Sequence, residues 1–325
     1  MNILIWHVHG SWTTAFVQGP HRYLLPTLPE RGPWGGGRPA AWDWPASAVE
    51  IHPNQLAVEP VDVLVLQRPE EWERAERWLR RRPGRDVPVV YLEHNAPRGH
   101  AATTRHPMAD RDDLVLVHVT AFNALMWDAG TTRTAVIEHG IIDPGYRYSG
   151  ELDRAAVVVN DPLRRQRITG TDLLPRLAEA APLDVFGMGT DGIERHLGPG
   201  IRGCGDLPQH RMHAELARRR AYLHPLRWTS LGLSLIEAMQ LGMPVAALAT
   251  TEAIEAVPPE AGLCTTDPER LAAGLRTLVA DPDLARERGQ AARRHALARY
   301  GLERFLDDWN HLFAGVRADH TPVRR

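Results

Sequence analysis

Residues 227–245 read RWTSLGLSLIEAMQLGMPV. Pro225 precedes this stretch and Gly242-Met243-Pro244 close it, so one compact unit is bounded on both sides. Between the bounds Leu233, Ile236, Glu237, Gln240 and Leu241 recur at helical spacing. A loop containing Gly232 feeds the N-terminus of that helix, where backbone N–H groups without intrahelical partners attract anions. The helix is expected to stop at Gly242, and Pro-Val-Ala-Ala-Leu-Ala restarts the chain as a buried strand. Loop, helix and strand in so short a span are the grammar of an α/β sheet.

The same alternation extends in both directions. Asn2–Val8, Val61–Leu66, Val87–Leu92, Leu114–His118 and Thr134–Ile137 read as strands, and Glu70–Arg82 as an amphipathic helix. His9–Gly19 reads as a polar, glycine-bounded loop, with Gly19-Pro20 opening a helix. The polar Tyr148–Asp153 is the expected linker and, with Gly150, a hinge. Beyond it Ala155–Val159, Leu183–Phe186 and Ala221–His224 read as strands, and Gly170–Ala181 and Arg211–Arg219 as helices. The chain ends in helices at Asp267–Val279, Asp283–Tyr300 and Leu302–Phe313, two of them opened by Asp-Pro. Two Rossmann-like α/β domains facing a cleft are therefore predicted, over residues 1–150 and 151–301. In Leu302–Phe313 the apolar Phe305, Trp309, Leu312 and Phe313 recur at the spacing of a docking face.

Composition narrows the function. With 325 residues, 43% hydrophobic and 24% charged, the chain has the makeup of a globular protein of two ordinary domains. A formal net charge of -2 gives no electrostatic reason to expect nucleic acid. No apolar run reaches bilayer-spanning length, and MNILIWHV lacks the basic lead of a signal peptide, so a cytoplasmic protein without an integral membrane segment is expected. Cys204 and Cys264 form neither a disulfide framework nor a metal spacing. Lysine is absent, so all 38 basic residues are arginine. A phosphate clamp must then come from Arg, His or backbone N–H groups.

The second half resembles the retaining glycosyltransferases of family 4. The resemblance lies in HPLRWTSLGLSLIEAMQLGMPVAA and in the tail EAGLCTTDPERLAAGLRTLVADPDLARERGQAARRHALARYGLERFLDDW. TGTDLL, FGMG and GCGDLP are similar to the family's first helix and its two following turns, and EHNAP and AVIEHGIIDPGY extend the match into the first half. The resemblance implies the GT-B fold. It implies transfer of a sugar from a UDP-, GDP- or dTDP-sugar to a small-molecule or glycan acceptor with retention, without metal or other cofactor. It also implies that the segment 302–325 crosses back to the N-terminal domain as a helix and tail. Two departures stand out. The family carries two glutamates separated by seven residues; Glu237 matches the second, but the first falls on Thr229. The usual lysine before the first C-terminal helix falls on Thr169. A GT-B protein that binds nucleotide-sugar without transfer, and a nucleotide-sugar epimerase using Glu93, His94 and Glu138, are the alternatives.

On the donor side, Ser230, Leu231, Gly232 and Leu233 would offer backbone N–H groups to a pyrophosphate. Arg164, Arg165 and Arg167 cluster between a strand and a helix and would stabilise charge on a departing diphosphate. By resemblance, Glu237 would take the ribose hydroxyls, Gly187 and Gly189 would shape a turn beside the nucleotide, Leu207 would offer its backbone to the base, and Thr229 would lie with them. On the acceptor side, His94 ends a strand, the edge where α/β ligands bind, and is the catalytic candidate. His9, Gly10, Trp12, Gly19 and Asn95 are the acceptor-binding candidates. His7-x-His9 is a poor metal motif, because alternate residues of a strand point to opposite faces. No metal is expected.

Overall fold

A computed structural model describes residues 1–39 and 42–320. The last part of the predicted 302–325 segment, after His320, lies outside the described residues. The chain divides into two compact α/β units. One comprises Met1–Ile141 and the segment from Leu302; the other is Ile142–Gly301.

In the first unit the strands are β1 (Asn2–Ile5), β2 (Arg22–Pro26), β3 (Ala48–Ile51), β4 (Val63–Leu66), β5 (Val89–Glu93), β6 (Val115–His118) and β7 (Thr134–Val136). They pair in parallel in the order β3-β2-β1-β4-β5-β6-β7. All four residues of β4 are buried, as a strand covered on both faces requires. Helices α1 (Gly10–Phe16), α2 (Glu70–Leu79) and α3 (Ala121–Met126) belong to this unit.

The second unit contains β8 (Leu152–Val158), β9 (Leu183–Phe186), β10 (Ile201–Gly205), β11 (Arg219–His224), β12 (Val245–Leu248) and β13 (Gly262–Thr265). Its sheet is also parallel, in the order β10-β9-β8-β11-β12-β13. Around it lie α4 (Pro162–Arg165), α5 (Leu174–Ala178), α6 (Glu194–Leu197), α7 (Gln209–Leu216), α8 (Leu233–Leu241), α9 (Ala253–Ala256), α10 (Pro268–Ala280) and α11 (Pro282–Tyr300). Asp267 and Asp281 cap α10 and α11, each carboxylate accepting from two amides of the first turn, with Pro at the first helical position. Helix α8 is buried from Leu235 to Leu241 and ends at Gly242, whose φ of 92° is left-handed. Both sheets follow the doubly wound order, which reverses between β1 and β4 and again between β8 and β11.

Helix α12 (Leu302–Asp319) lays Phe305, Trp309 and Phe313 on the first unit. The Trp309 ring lies 5.8 Å from Trp12 and 5.0 Å from Phe16. Gly140 permits the close approach: a Cβ there would stand 2.2 Å from the Cβ of Phe305.

The structure corrects three local expectations. His9–Gly19 is largely helix α1 rather than loop, because Thr13 and Thr14 return their hydroxyls to the His9 and Gly10 carbonyls and Trp12 and Phe16 share its buried face. Gly19-Pro20 opens no helix and leads into β2. The expected hinge at Ser149–Asp153 is tied down: the Ser149 and Gly150 amides donate to the Ala217 carbonyl, and β8 begins at Leu152.

One buried charge cluster spans four strands of the second sheet. Asp184 on β9 is fully buried. It accepts from Arg154 Nε of β8 at 2.7 Å, Arg202 Nε of β10 at 3.0 Å and Arg219 Nε of β11 at 2.8 Å. Burial pushes its carboxyl up, but the bonds from Arg202, Arg219 and Arg154 outweigh this and hold it below the ordinary carboxylate range. Because the folded value is depressed, this stabilisation is present at neutral pH and fades as pH falls through the depressed value. Asp184→Asn should lower stability by about 3–5 kcal/mol, since it strands buried guanidinium charge. Urea denaturation at neutral and acidic pH checks this, and the deficit of the variant should shrink in acid.

Candidate functional site

In the second unit three loops meet where the strand order reverses. After β8, Asn160 Oδ1 accepts from the Met188 amide at 3.0 Å, and the Asp161 amide donates to the Met188 carbonyl at 2.8 Å. These bonds tie the β8 loop to the Gly187-Met188-Gly189 turn after β9. Gly187 has φ 119°, and a Cβ on it would lie 2.3 Å from the Val159 carbonyl oxygen. Gly170, with φ 71°, lies against the Pro225 carbonyl and joins the β8 loop to the β11 loop.

The basic cluster lies on the β8 loop. Arg164 pairs with Asp161 at 2.6 Å and Arg167 with Asp172 at 3.1 Å, both side chains largely exposed. Arg227 Nη2 reaches the same Asp172 at 2.9 Å. Arg165 lies in α4 beside them. Thr169, in the place of the family's lysine, is buried and bonds Gln166 O at 3.0 Å and the Thr171 hydroxyl at 2.8 Å.

The β11 end supplies the rest. His224 is 1% exposed and its Nδ1 has no hydrogen-bond partner. Burial pushes its pKa down to about 4, so the ring is neutral. Gly232 covers it: a Cβ at that position would stand 2.9 Å from His224 Cε1. Ser230 and Leu231 are buried, Thr229 is half-buried, and Gly232 caps α8, which Leu233 opens. Glu237, one turn further on, is 2% exposed; it accepts from Gln209 Nε2 at 2.8 Å, and His213 Nε2 stands 3.4 Å away. Leu207 follows β10 and is half-buried. The donor-side candidates thus lie on the loops and the short helix α4 that follow the carboxyl ends of β8 to β11, or in the first half of α8.

The acceptor-side candidates divide. The rings of His9 and His94 lie 4.1 Å apart, with Trp12 5.1 Å from His94. Trp12 is itself core, 1% exposed between Phe16, Phe305 and Trp309. Gly10 opens α1 and admits the Trp42 ring, 3.2 Å from where its Cβ would be. Asn95 is exposed and donates to Glu93 Oε1 through its amide at 2.6 Å. That contact, with His106 3.1 Å from Oε2, occupies Glu93. Gly19 is not brought to this edge; it follows the far end of α1 and packs against the Tyr23 hydroxyl.

Sequence reasoning missed several residues here. His139 follows β7, and burial, then the His9 and Arg304 charges, pushes its pKa down to about 3. Gln67 is buried directly after β4 and bonds His94. His224, Gln209 and His213 were also missed. Gln67 and His224 carried a usable signal, since each closes an apolar strand as His94 does.

Residues 193–295, from α6 into α11, match the family Glycosyl transferases group 1. No curated protein sequence matches the chain. Among solved structures, sucrose-phosphate synthase from Thermosynechococcus elongatus superposes with a TM-score of 0.71 at 14% identity, over 98% of this chain and 99% of that one. HepE from Anabaena, in complex with UDP-glucose, gives 0.66 at 15% identity over 97% of this chain and 100% of that one. The pneumococcal O-GlcNAc transferase GtfA, in complex with UDP and GlcNAc, gives 0.63 at 13% over 79% and 57%. The fold is the α/β type of the GT-B glycosyltransferases, with two parallel sheets. The family match supports a transferase, and these neighbours show the fold.

Gly170→Ala tests the loop junction. Left-handed backbone costs a non-glycine residue about 1–2 kcal/mol, and the added Cβ meets the Pro225 carbonyl besides. The variant should melt at a lower temperature than wild type and unfold at a lower urea concentration. Gly315→Ala, where nothing lies within 4 Å, should do neither.

Proposed function

We propose that this protein is a retaining glycosyltransferase that takes its sugar from a nucleotide diphosphate-sugar bound at the carboxyl edge of the second sheet. The observation that carries the reading is the fusion of the β8, β9 and β11 loops beside the start of α8, of which the β11 loop and α8 fall within residues 193–295, the segment that matches a glycosyltransferase family. The N-terminal amides of α8 suit a pyrophosphate, with Gly232 allowing close approach. Glu237 is held by Gln209 so that its carboxylate can accept two hydroxyls of a ribose. Arg164, Arg165 and Arg167 lie on the loop facing that edge and would balance charge on the departing diphosphate. A front-face displacement needs no protein nucleophile, and retention then follows from leaving group and acceptor sharing one face of the sugar.

In the first unit, His94 with His9 and Asn95 would line the acceptor side. Among the described residues no helix is long and apolar enough to cross a membrane. We place the protein in the cytoplasm, where nucleotide-sugars are made. HepE and GtfA were crystallised with UDP ligands, so UDP-sugars are the donors to test first.

Calorimetry with UDP, GDP and dTDP should show binding to one of them. Glu237→Ala should weaken it by about one to two decades, the worth of a hydrogen bond to a charged acceptor at roughly 1.5–3 kcal/mol. Unchanged affinity would remove Glu237 from the site. Binding without transfer to any of a range of glycan and small-molecule acceptors would favour the non-catalytic alternative, which the threonine at position 229 motivates.

The arginine cluster also predicts turnover that survives excess EDTA. Activity abolished by EDTA and restored by manganese would overturn that account.

A further inference from the structure

We infer that Gln67 is the positioning residue of His94: its amide fixes the imidazole as the Nε2–H tautomer and leaves Nδ1 to accept a hydrogen bond from a substrate hydroxyl. The tautomer follows from geometry in the first unit; only the identity of the hydroxyl rests on the glycosyl-transfer reading.

Gln67 Nε2 lies 2.8 Å from the Trp6 carbonyl oxygen. A carbonyl can only accept, so the nitrogen end of the Gln67 amide faces Trp6. The oxygen end then faces the imidazole, with Oε1 2.8 Å from His94 Nε2. That oxygen also only accepts, so Nε2 of His94 must carry the proton. Turning the amide round would set oxygen against oxygen at Trp6.

Gln67 is in turn clamped. Its backbone amide donates to Glu71 Oε2 at 2.7 Å, and Glu71, fully buried, also takes Arg68 Nε at 2.7 Å. The carboxylate therefore fixes the turn from which the Gln67 side chain reaches the ring.

The ring itself is neutral. Burial, then repulsion from His9 and His139, holds His94 well below the ordinary histidine range. Glu93, Arg68 and His7 act on His9, and Arg304 on His139. A neutral imidazole of depressed basicity is a hydrogen-bond acceptor at Nδ1 rather than a proton carrier.

Long-range 15N–1H spectra of the full-length protein labelled at histidine test this directly, with His94 assigned from the His94→Gln spectrum. The expected result is a protonated Nε2 and a bare Nδ1 from mildly acidic to mildly alkaline pH. Gln67→Met should relax this to a tautomer mixture. Gln67→Glu sets a carboxylate against the Nε2–H and should raise the His94 titration by about one to three pH units, adding an acid limb to the pH–rate profile. A wild-type proton on Nδ1, a wild-type mixture, or a Gln67→Met spectrum unchanged from wild type would each overturn the assignment. Should the Met variant fail to fold, the wild-type tautomer and the Glu variant still decide. Failure to transfer sugar would sink the functional reading while leaving the tautomer untouched.

Discussion

The second unit depends on a carboxylate that water cannot reach. Asp184 is bonded by arginines from both strands flanking it and from one strand beyond, so β10, β9, β8 and β11 are held in one register at their amino-terminal halves. A lone buried carboxylate would be costly, and so would the nearly buried Arg219 by itself. Together they are tolerable only in this geometry, with Glu215 taking a second edge of Arg219 at 2.6 Å. Rigidity set at one edge of the sheet leaves the other edge free to carry glycine turns and strained loops.

That division explains where the glycines fall. Gly187 and Gly170 sit on carboxyl-edge loops in left-handed backbone, each pressed against a carbonyl of a neighbouring loop. Side chains at these places would push the loops apart. The loops are therefore bound to one another by backbone contacts and by Asn160 rather than by an apolar core. Both sheets also carry neutral histidines at strand ends, the buried His224 closing β11 in one unit and the half-buried His94 directly after β5 in the other. Neutral imidazoles add hydrogen-bonding capacity without charge that would need a counter-ion in a low-dielectric site.

Much of this was legible in the sequence, for physical reasons that differ by element. Helix α8 and strand β12 announce themselves because Gly232 and Gly242 bracket a run whose period changes from helical to continuous apolar. Helix α11 carries its Asp-Pro start and α12 its aromatic face. The edge strand β7 was read, but the edge strands β3, β10 and β13 were not legible. Strand β10 reads IRGCG, without a strand-like pattern, because Gly203 must admit the Thr190 carbonyl, 2.0 Å from where a Cβ would be. Helix α1 hides behind Gly, Ser and two Thr, residues that favour turns until their hydroxyls find carbonyls one turn back. The places of the donor-side candidates followed from local pattern and family likeness, since these residues lie at strand ends and in the helices α4 and α8. Gln67 closes an apolar strand, which marks its place, but its bonding role was not legible, because that role depends on Trp6 and His94 arriving from distant parts of the chain.

The absence of lysine sharpens the reading of the donor edge. On the proposed reading arginine serves both as structural cross-link and as anion ligand, and its planar fork suits the first role well. Arg154, Arg202 and Arg219 are committed to Asp184, Arg293 to Asp143, and Arg304 to the carbonyls of Glu138 and His139. On the β8 loop Arg164 and Arg167 already face Asp161 and Asp172, which offset much of their charge. A diphosphate arriving there would compete with those carboxylates for the same guanidinium forks. The exchange is cheap because the pairs are exposed, and exposed pairs hold by about 1 kcal/mol or less. The loop arginines are thus kept in place by weak partners that a more highly charged anion would displace, while on the proposed reading the α8 amides would supply the part of the site that needs no rearrangement.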